Sequence, residues 1–217
     1  MKIVVFDLDG TLIDSAATII RRVTSAFIAE GYKAPTSDSI RANVGLSLPI
    51  YMGRLLGSSE EGPINRLVTA YRCIANADPS GLMPLFDGAL PVLDRLRARP
   101  DMVLGVATGK GMLGLHRALE QNGIADYFVT LQTPDSNPSK PHPGMLLAAV
   151  SAGASTPHKA VMVGDAVFDI EMAEAAGVKS IGVSWGMQNP ADLRSAGAAH
   201  VIERFDQLEA AIDLILE

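Results

Sequence analysis

Ile3-Val4-Val5-Phe6-Asp7-Leu8-Asp9-Gly10-Thr11-Leu12 decides how the rest of the chain is read. Ile3 to Phe6 is an unbroken apolar run, mostly β-branched, which suits a strand buried on both faces of a parallel sheet. Asp7 and Asp9 follow directly, and Gly10-Thr11 turns the chain. Open α/β sheets bind ligands outside the carboxyl ends of their strands, so both acids stand where chemistry is expected. Two such carboxylates repel each other by roughly 4 kcal/mol when ~4 Å apart at an effective dielectric near 20. The site needs a cation, or one acid must hold a proton. Asp and Gly are also ordinary turn residues, so later segments must separate an active site from a surface turn.

The chain has 217 residues, 48% of them hydrophobic and 19% charged, enough for one sizeable domain, or for a domain plus a small insertion. A net charge of −6 and the lack of any Lys/Arg-rich run argue against a nucleic-acid partner. The longest early basic pair, Arg21-Arg22, reads as a solvated helix face. The single cysteine, Cys73, excludes an intramolecular disulfide framework, fits a reducing compartment and reads as a half-buried helix residue. No window reaches the ~18 uninterrupted apolar residues of a membrane span, and the Ile3 to Phe6 run is too short for a signal peptide. The expectation is a soluble cytoplasmic protein.

From Ser15 the pattern is helical. Ala16, Ile19, Ile20, Val23, Phe27 and Ile28 recur at three- and four-residue steps up to Gly31. Ser37 is a plausible N-cap for a short helix through Val44. Further helices are expected to about Leu56 and from Ser58 to about Ala77, with a break at Pro79-Ser80-Gly81. Residues 15–80 therefore read as an all-helical insertion, flanked by a core made of residues 1–14 and 81–217.

After Phe86 helices and strands alternate. Strands are expected at Met102 to Ala107, Tyr127 to Leu131, Ala160 to Val163 and Lys179 to Val183, with an edge strand at His200 to Ile202 and a last helix from Phe205. The fold class is α/β, a Rossmann-like parallel sheet with an inserted helical domain. Three of these strands end in polar residues, Asp7/Asp9, Thr108-Gly109 and Asp165/Asp169, and a proline-rich loop supplies Lys140. Right-handed parallel connections put those ends on one edge. Four carboxylates against one ammonium call for a hard cation, and an all-oxygen set with substrate phosphate suits Mg²⁺. A Thr hydroxyl, a glycine amide and a Lys ammonium form a phosphoryl cradle. An Asp is ionised at neutral pH without a partner base, so it can serve as a nucleophile.

Four segments together carry a resemblance to the haloacid dehalogenase-like superfamily of phosphohydrolases. Asp7-Leu8-Asp9-Gly10-Thr11-Leu12 resembles its first motif and Thr108-Gly109-Lys110 its second. Lys140-Pro141-His142-Pro143 resembles the third, and Gly164-Asp165-x-x-x-Asp169 the fourth. The position of the helical insertion, with Ala175-Ala176-Gly177-Val178 and Val183-Ser184-Trp185-Gly186, is similar to the phosphoglycolate phosphatase-like branch. The resemblance implies a Mg²⁺-dependent phosphatase acting on a small phosphorylated metabolite, with phosphoglycolate the leading candidate. It implies that Asp7 attacks phosphorus and becomes an aspartyl phosphate, while Asp9 serves as acid and then base. Thr108, the Gly109 amide and Lys140 would hold the phosphoryl oxygens. Asp7, the Asp9 carbonyl and Asp165 would bind Mg²⁺, with Asp169 supporting the metal's water shell or Lys140. Phosphomutase or pyrophosphatase chemistry, and a non-catalytic binding role, are the alternatives.

Two positions depart from the family pattern: Ala166 replaces a common Ser or Thr, and Gly109 a common Asn. In the insertion, Asn43-Val44-Gly45-Leu46-Ser47-Leu48 resembles the segment facing the active site, which makes Asn43, Gly45 and Leu46 candidate substrate contacts, with Arg41 and Arg54 as candidates for an anionic substrate tail. The alternative for both arginines is a solvated helix charge. His142 reads as loop packing, and Trp185 either as pocket lining or as a lid over the core edge.

Overall fold

The computed structural model describes residues 1–78, 81 and 83–217. Its centre is a parallel six-stranded sheet in the order β3-β2-β1-β4-β5-β6. The strands are β1 (Lys2–Phe6), β2 (Met102–Ala107), β3 (Thr130–Gln132), β4 (Ala160–Gly164), β5 (Lys179–Val183) and β6 (His200–Ile202). β1 is central, with Val5 opposite Gly105 on one side and Met162 on the other. Its alternation divides the apolar run between two cores. Val4 and Phe6 join a cluster under α5 (Ala89–Arg97), α6 (Met112–Gln121) and α10 (Leu208–Leu216). Ile3 and Val5 join a second one under α7 (Gly144–Ala152) and α8 (Val167–Ala175). A strand with both faces covered has no polar side to show, hence its continuous hydrophobicity.

Between β1 and α5 come α1 (Ala16–Ala29), α2 (Ser37–Ala42), α3 (Leu48–Leu56) and α4 (Glu61–Ala77). These helices close a third apolar cluster around Val23, Phe27, Met52 and Leu67. That cluster meets the rest of the molecule through Phe168 and Met187. The expected break at Pro79-Ser80-Gly81 lies, apart from Gly81, outside the described residues.

Local differences have local causes. Thr36, not Ser37, caps α2, because its hydroxyl accepts the Ser39 amide at 3.2 Å. The third strand starts at Thr130, because residues Ala125–Tyr127 form a tight helical turn first. A helix absent from the sequence reading, α9 (Pro190–Ser195), is begun by Asn189, whose side chain accepts the Ala191 amide, with proline at its first position. Cys73 is exposed rather than half-buried. No helix among the described residues is long and apolar enough to cross a membrane.

Candidate active site

β1, β2 and β4 release the chain at one edge of the sheet, and the loop before α7 returns to it. Asp7, Thr108, Asp165, Asp169 and Lys140 are all buried there. Lys140 Nζ lies 2.5 Å from Asp7 Oδ1 and 2.6 Å from Asp169 Oδ1, linking segments far apart in sequence. Burial works against the Lys140 charge, but Asp169 and then Asp7 hold its pKa above the ordinary lysine value. The second oxygen of Asp169 accepts the Ala166 amide at 3.1 Å at the start of α8. Asp165 accepts the Thr11 hydroxyl at 2.9 Å and the Met187 amide at 2.8 Å.

Oxygens of Asp7, Asp165 and Asp169 lie within 4.8 Å of one another. Burial, together with the other two acids, holds the Asp7 carboxyl well above the usual range despite Lys140. Burial and the Asp169 charge push Asp165 up to about 7. One ammonium does not neutralise three buried acids. Their hard, all-oxygen donor set fits a divalent cation.

Asp9 lines a cavity of about 860 Å³ between the sheet edge and the helical insertion. Asp7, Thr108 and Gly109 also line it, whereas Lys140, Asp165 and Asp169 are not part of its wall. A cation missed in the sequence reading joins Asp9: Lys110 Nζ lies 2.9 Å from Asp9 Oδ2. Arg22 corrects the solvated-face expectation. It is 7% exposed, donates to the Asp78 carbonyl at 3.0 Å, and lines the cavity with Tyr51 and Tyr71. A signal was present, because Arg22 falls between Ile19 and Val23, Ala26 on the buried stripe of α1. Arg21, by contrast, is an exposed partner of Asp78.

The insertion lies against the core in this structure. A Cβ on Gly109 would collide with the Gly45 carbonyl oxygen and stand 2.6 Å from that of Leu46. This position has no room here for any side chain. The Ser47 amide donates to Ser139 Oγ at 2.9 Å, Arg117 to Asn76 Oδ1 at 2.7 Å, and Gln188 to the Ala42 carbonyl at 3.1 Å. Gly45 and Leu46 line the cavity, but Asn43 and Arg54 do not. Asn43 turns back to the Ser39 carbonyl at 2.9 Å, and Arg54 lies 5.3 Å over the Phe168 ring. Ala166 is buried, with its methyl near Gly45. Trp185 packs against Phe86 and Phe205 and donates to the Thr11 carbonyl at 3.0 Å, so it covers the core edge. His142 Nδ1 accepts the Gly144 amide at 3.1 Å, a loop contact.

The sequence matches the profile of the haloacid dehalogenase-like hydrolases over residues 4–183, and the chain belongs to that family. It is 32% identical to a probable phosphatase, IndB, of Dickeya dadantii, over 99% of this chain and 95% of that one. It is 27% identical to a phosphoglycolate phosphatase of Nitrosococcus oceani, over 96% and 95%. A haloacid dehalogenase-like hydrolase structure from Bacteroides fragilis superimposes with a TM-score of 0.88 at 26% identity, covering 95% of this chain and 99% of that one. Within the family the chain is a phosphatase of the phosphoglycolate phosphatase-like branch.

Proposed function

We propose that the chain hydrolyses the phosphate monoester of a small metabolite through an aspartyl phosphate on Asp7, with Mg²⁺ as cofactor and phosphoglycolate the leading substrate. The observation that carries this reading is the division of the acids at one sheet edge. Asp7, Asp165 and Asp169 share a buried cluster with Lys140, while Asp9 is paired with Lys110 and lines the cavity beside Asp7. In this reading residues 1–14 and 81–217 form the catalytic core and residues 15–80 the cap. The single cysteine suits a cytoplasmic setting.

Asp7, the Asp9 carbonyl and Asp165 would hold the metal, with Asp169 fixing Lys140 and the α8 N-terminus. When bound, Mg²⁺ would neutralise negative charge on the acids and on the phosphoryl oxygens. A carboxylate oxygen of Asp7 attacks phosphorus as the ester P–O bond breaks, and Asp9 gives its proton to the departing alkoxide. Water then attacks the same phosphorus, Asp9 takes the water's proton, and the bond to Asp7 breaks, releasing phosphate. The Thr108 hydroxyl, the Gly109 amide and the Lys140 ammonium hold the phosphoryl oxygens. Such positioning and charge stabilisation supply most of phosphoryl-transfer catalysis. A screen of phosphorylated metabolites tests this, each assayed for phosphate release with and without Mg²⁺. Mg²⁺-dependent release, greatest for a small phosphorylated acid, is the expected result. Efficient cleavage of pyrophosphate alone would instead favour the pyrophosphatase alternative.

A further inference from the structure

Asp9 is asymmetrically held. Its Oδ2 receives Lys110 Nζ at 2.9 Å, whereas its Oδ1 is buried and has no hydrogen-bond partner among the described residues. Lys110 and Asp9 side chains are only 14% and 10% exposed, so solvent screens this pair far less than a surface one. The lysine stem is also placed by the backbone. It passes Gly114 on α6, where an added Cβ would lie 3.1 Å from Lys110 Cγ and 3.3 Å from Cδ. The Lys110 amide in turn approaches Thr108 Oγ1 at 3.3 Å. Burial opposes the ammonium charge, but Asp9 and then Tyr71 more than offset this, while Arg22 opposes it further.

We propose that Lys110 is a positioning residue for Asp9: by holding Oδ2 it fixes the rotation of the carboxylate that handles the proton. This rests on the acid/base reading of Asp9 and adds a residue to it. Without Lys110 the carboxylate is free to rotate about χ2, and either oxygen can turn away from the reacting water. The step most exposed to that loss is the second, in which the Asp9 carboxylate takes a proton from water while the P–O bond to Asp7 breaks. A nitrophenolate leaves without protonation, so the first step with nitrophenyl phosphate does not depend on Asp9 in the same way. Misplacement of a catalytic group by about 1 Å costs on the order of 10²-fold.

Lys110→Met, Lys110→Arg and Asp9→Asn, each as the full chain with Mg²⁺, separate these roles by rapid-quench kinetics with nitrophenyl phosphate. Lys110→Met is expected to release its first equivalent of nitrophenolate within about twofold of the wild-type rate. It should then turn over about 10–100-fold more slowly, with KM little changed. Lys110→Arg, which keeps the charge and can still reach a carboxylate, should recover most of the turnover. Equal slowing of the burst and of turnover would overturn the proposal, because Lys110 would then act on the substrate or on the fold. A raised KM with unchanged kcat would overturn it as well, and so would failure of Lys110→Arg to recover turnover. If Asp9→Asn itself turns over like wild type, the acid/base reading fails instead, and the two failures are distinct.

Discussion

Lys140 shows how much a single side chain organises in this molecule. It is 1% exposed and bridges two carboxylates that would otherwise face each other. Removing one partner of a buried ionic cluster typically costs about 3–5 kcal/mol, so Lys140→Met should lower stability to urea by roughly 3 kcal/mol. A loss under ~1 kcal/mol would show that the acids are held by other means. Gly109 is the second such residue, and here the constraint is space. Carbonyl oxygens of Gly45 and Leu46 occupy the position of its missing Cβ. A backbone carbonyl cannot swing aside as the tip of a long side chain can, so Gly109→Ala must lift the 45–46 loop. We expect kcat/KM to fall at least about tenfold, by analogy with 1 Å misplacements, with little change in the unfolding midpoint. Unaltered kinetics would mean that the loop closes without touching Gly109. The acids at the strand ends were legible in the sequence because a β-branched run followed by a carboxylate has few readings. Lys110 was not, since nothing local tells whether the residue after Thr108-Gly109 points to solvent or back to Asp9. Such long-range pairing is decided by the fold.

Among the elements, β1, β2, β4 and β5 were legible from their apolar runs and α1 from its periodicity, since both arise from burial. Among the short elements, the edge strand β6 and the helix α2 also stand where the sequence put them, whereas the third strand is displaced and α9 was not seen. β3 has three residues and α9 has six, too few for a period to show, and each is set by its neighbours and caps. α10 is held by charge as well as by its apolar face. Arg99 donates to both Asp213 oxygens, at 2.5 and 3.1 Å, and lies 3.5 Å from Glu209. The Arg99 hydrogen bonds lower the Asp213 pKa from its ordinary 3.8. A lowered carboxylate pKa stabilises the fold above the ordinary value, and that contribution disappears as pH falls through the folded-state value. Because Asp213 is 48% exposed, solvent screening keeps the effect small. Asp213→Asn should cost roughly 0.5–1 kcal/mol near neutral pH, a difference that shrinks as the pH is taken below about 3.8. Urea unfolding of both proteins at pH 7 and at pH 3 checks this, and a pH-independent gap would contradict it.

For the whole molecule, the proposal joins a buried acid cluster, a cavity of about 860 Å³ and a helical insertion lying on the core. If Asp7, the Asp9 carbonyl and Asp165 hold a divalent cation, binding stabilises the folded state by mass action, by about 2.7 kcal/mol at a hundredfold excess over Kd. Mg²⁺ should therefore raise Tm even without substrate, and Asp165→Asn should weaken that response. Chelation should abolish phosphatase activity, Mg²⁺ should restore it, and Ca²⁺ should support it poorly because its coordination is looser. Full activity in excess chelator would rule out the metal assignment. The central claim, however, is covalent: phosphate passes through Asp7, with Asp9 moving the proton. General acid–base catalysis contributes about 10²–10⁴-fold, so Asp9→Asn should slow an alkyl phosphate by that order, both in ester cleavage and in water attack. With nitrophenyl phosphate only the water attack should suffer, and the intermediate should accumulate. The direct measurement is rapid acid quench of Asp9→Asn with nitrophenyl phosphate, followed by peptide mapping. The account predicts one equivalent of nitrophenolate in a burst, phosphate on the Asp7 peptide, slow turnover afterwards, and neither burst nor label in Asp7→Asn. A burst with no phosphate on Asp7, or turnover by Asp7→Asn at the wild-type rate, would contradict it.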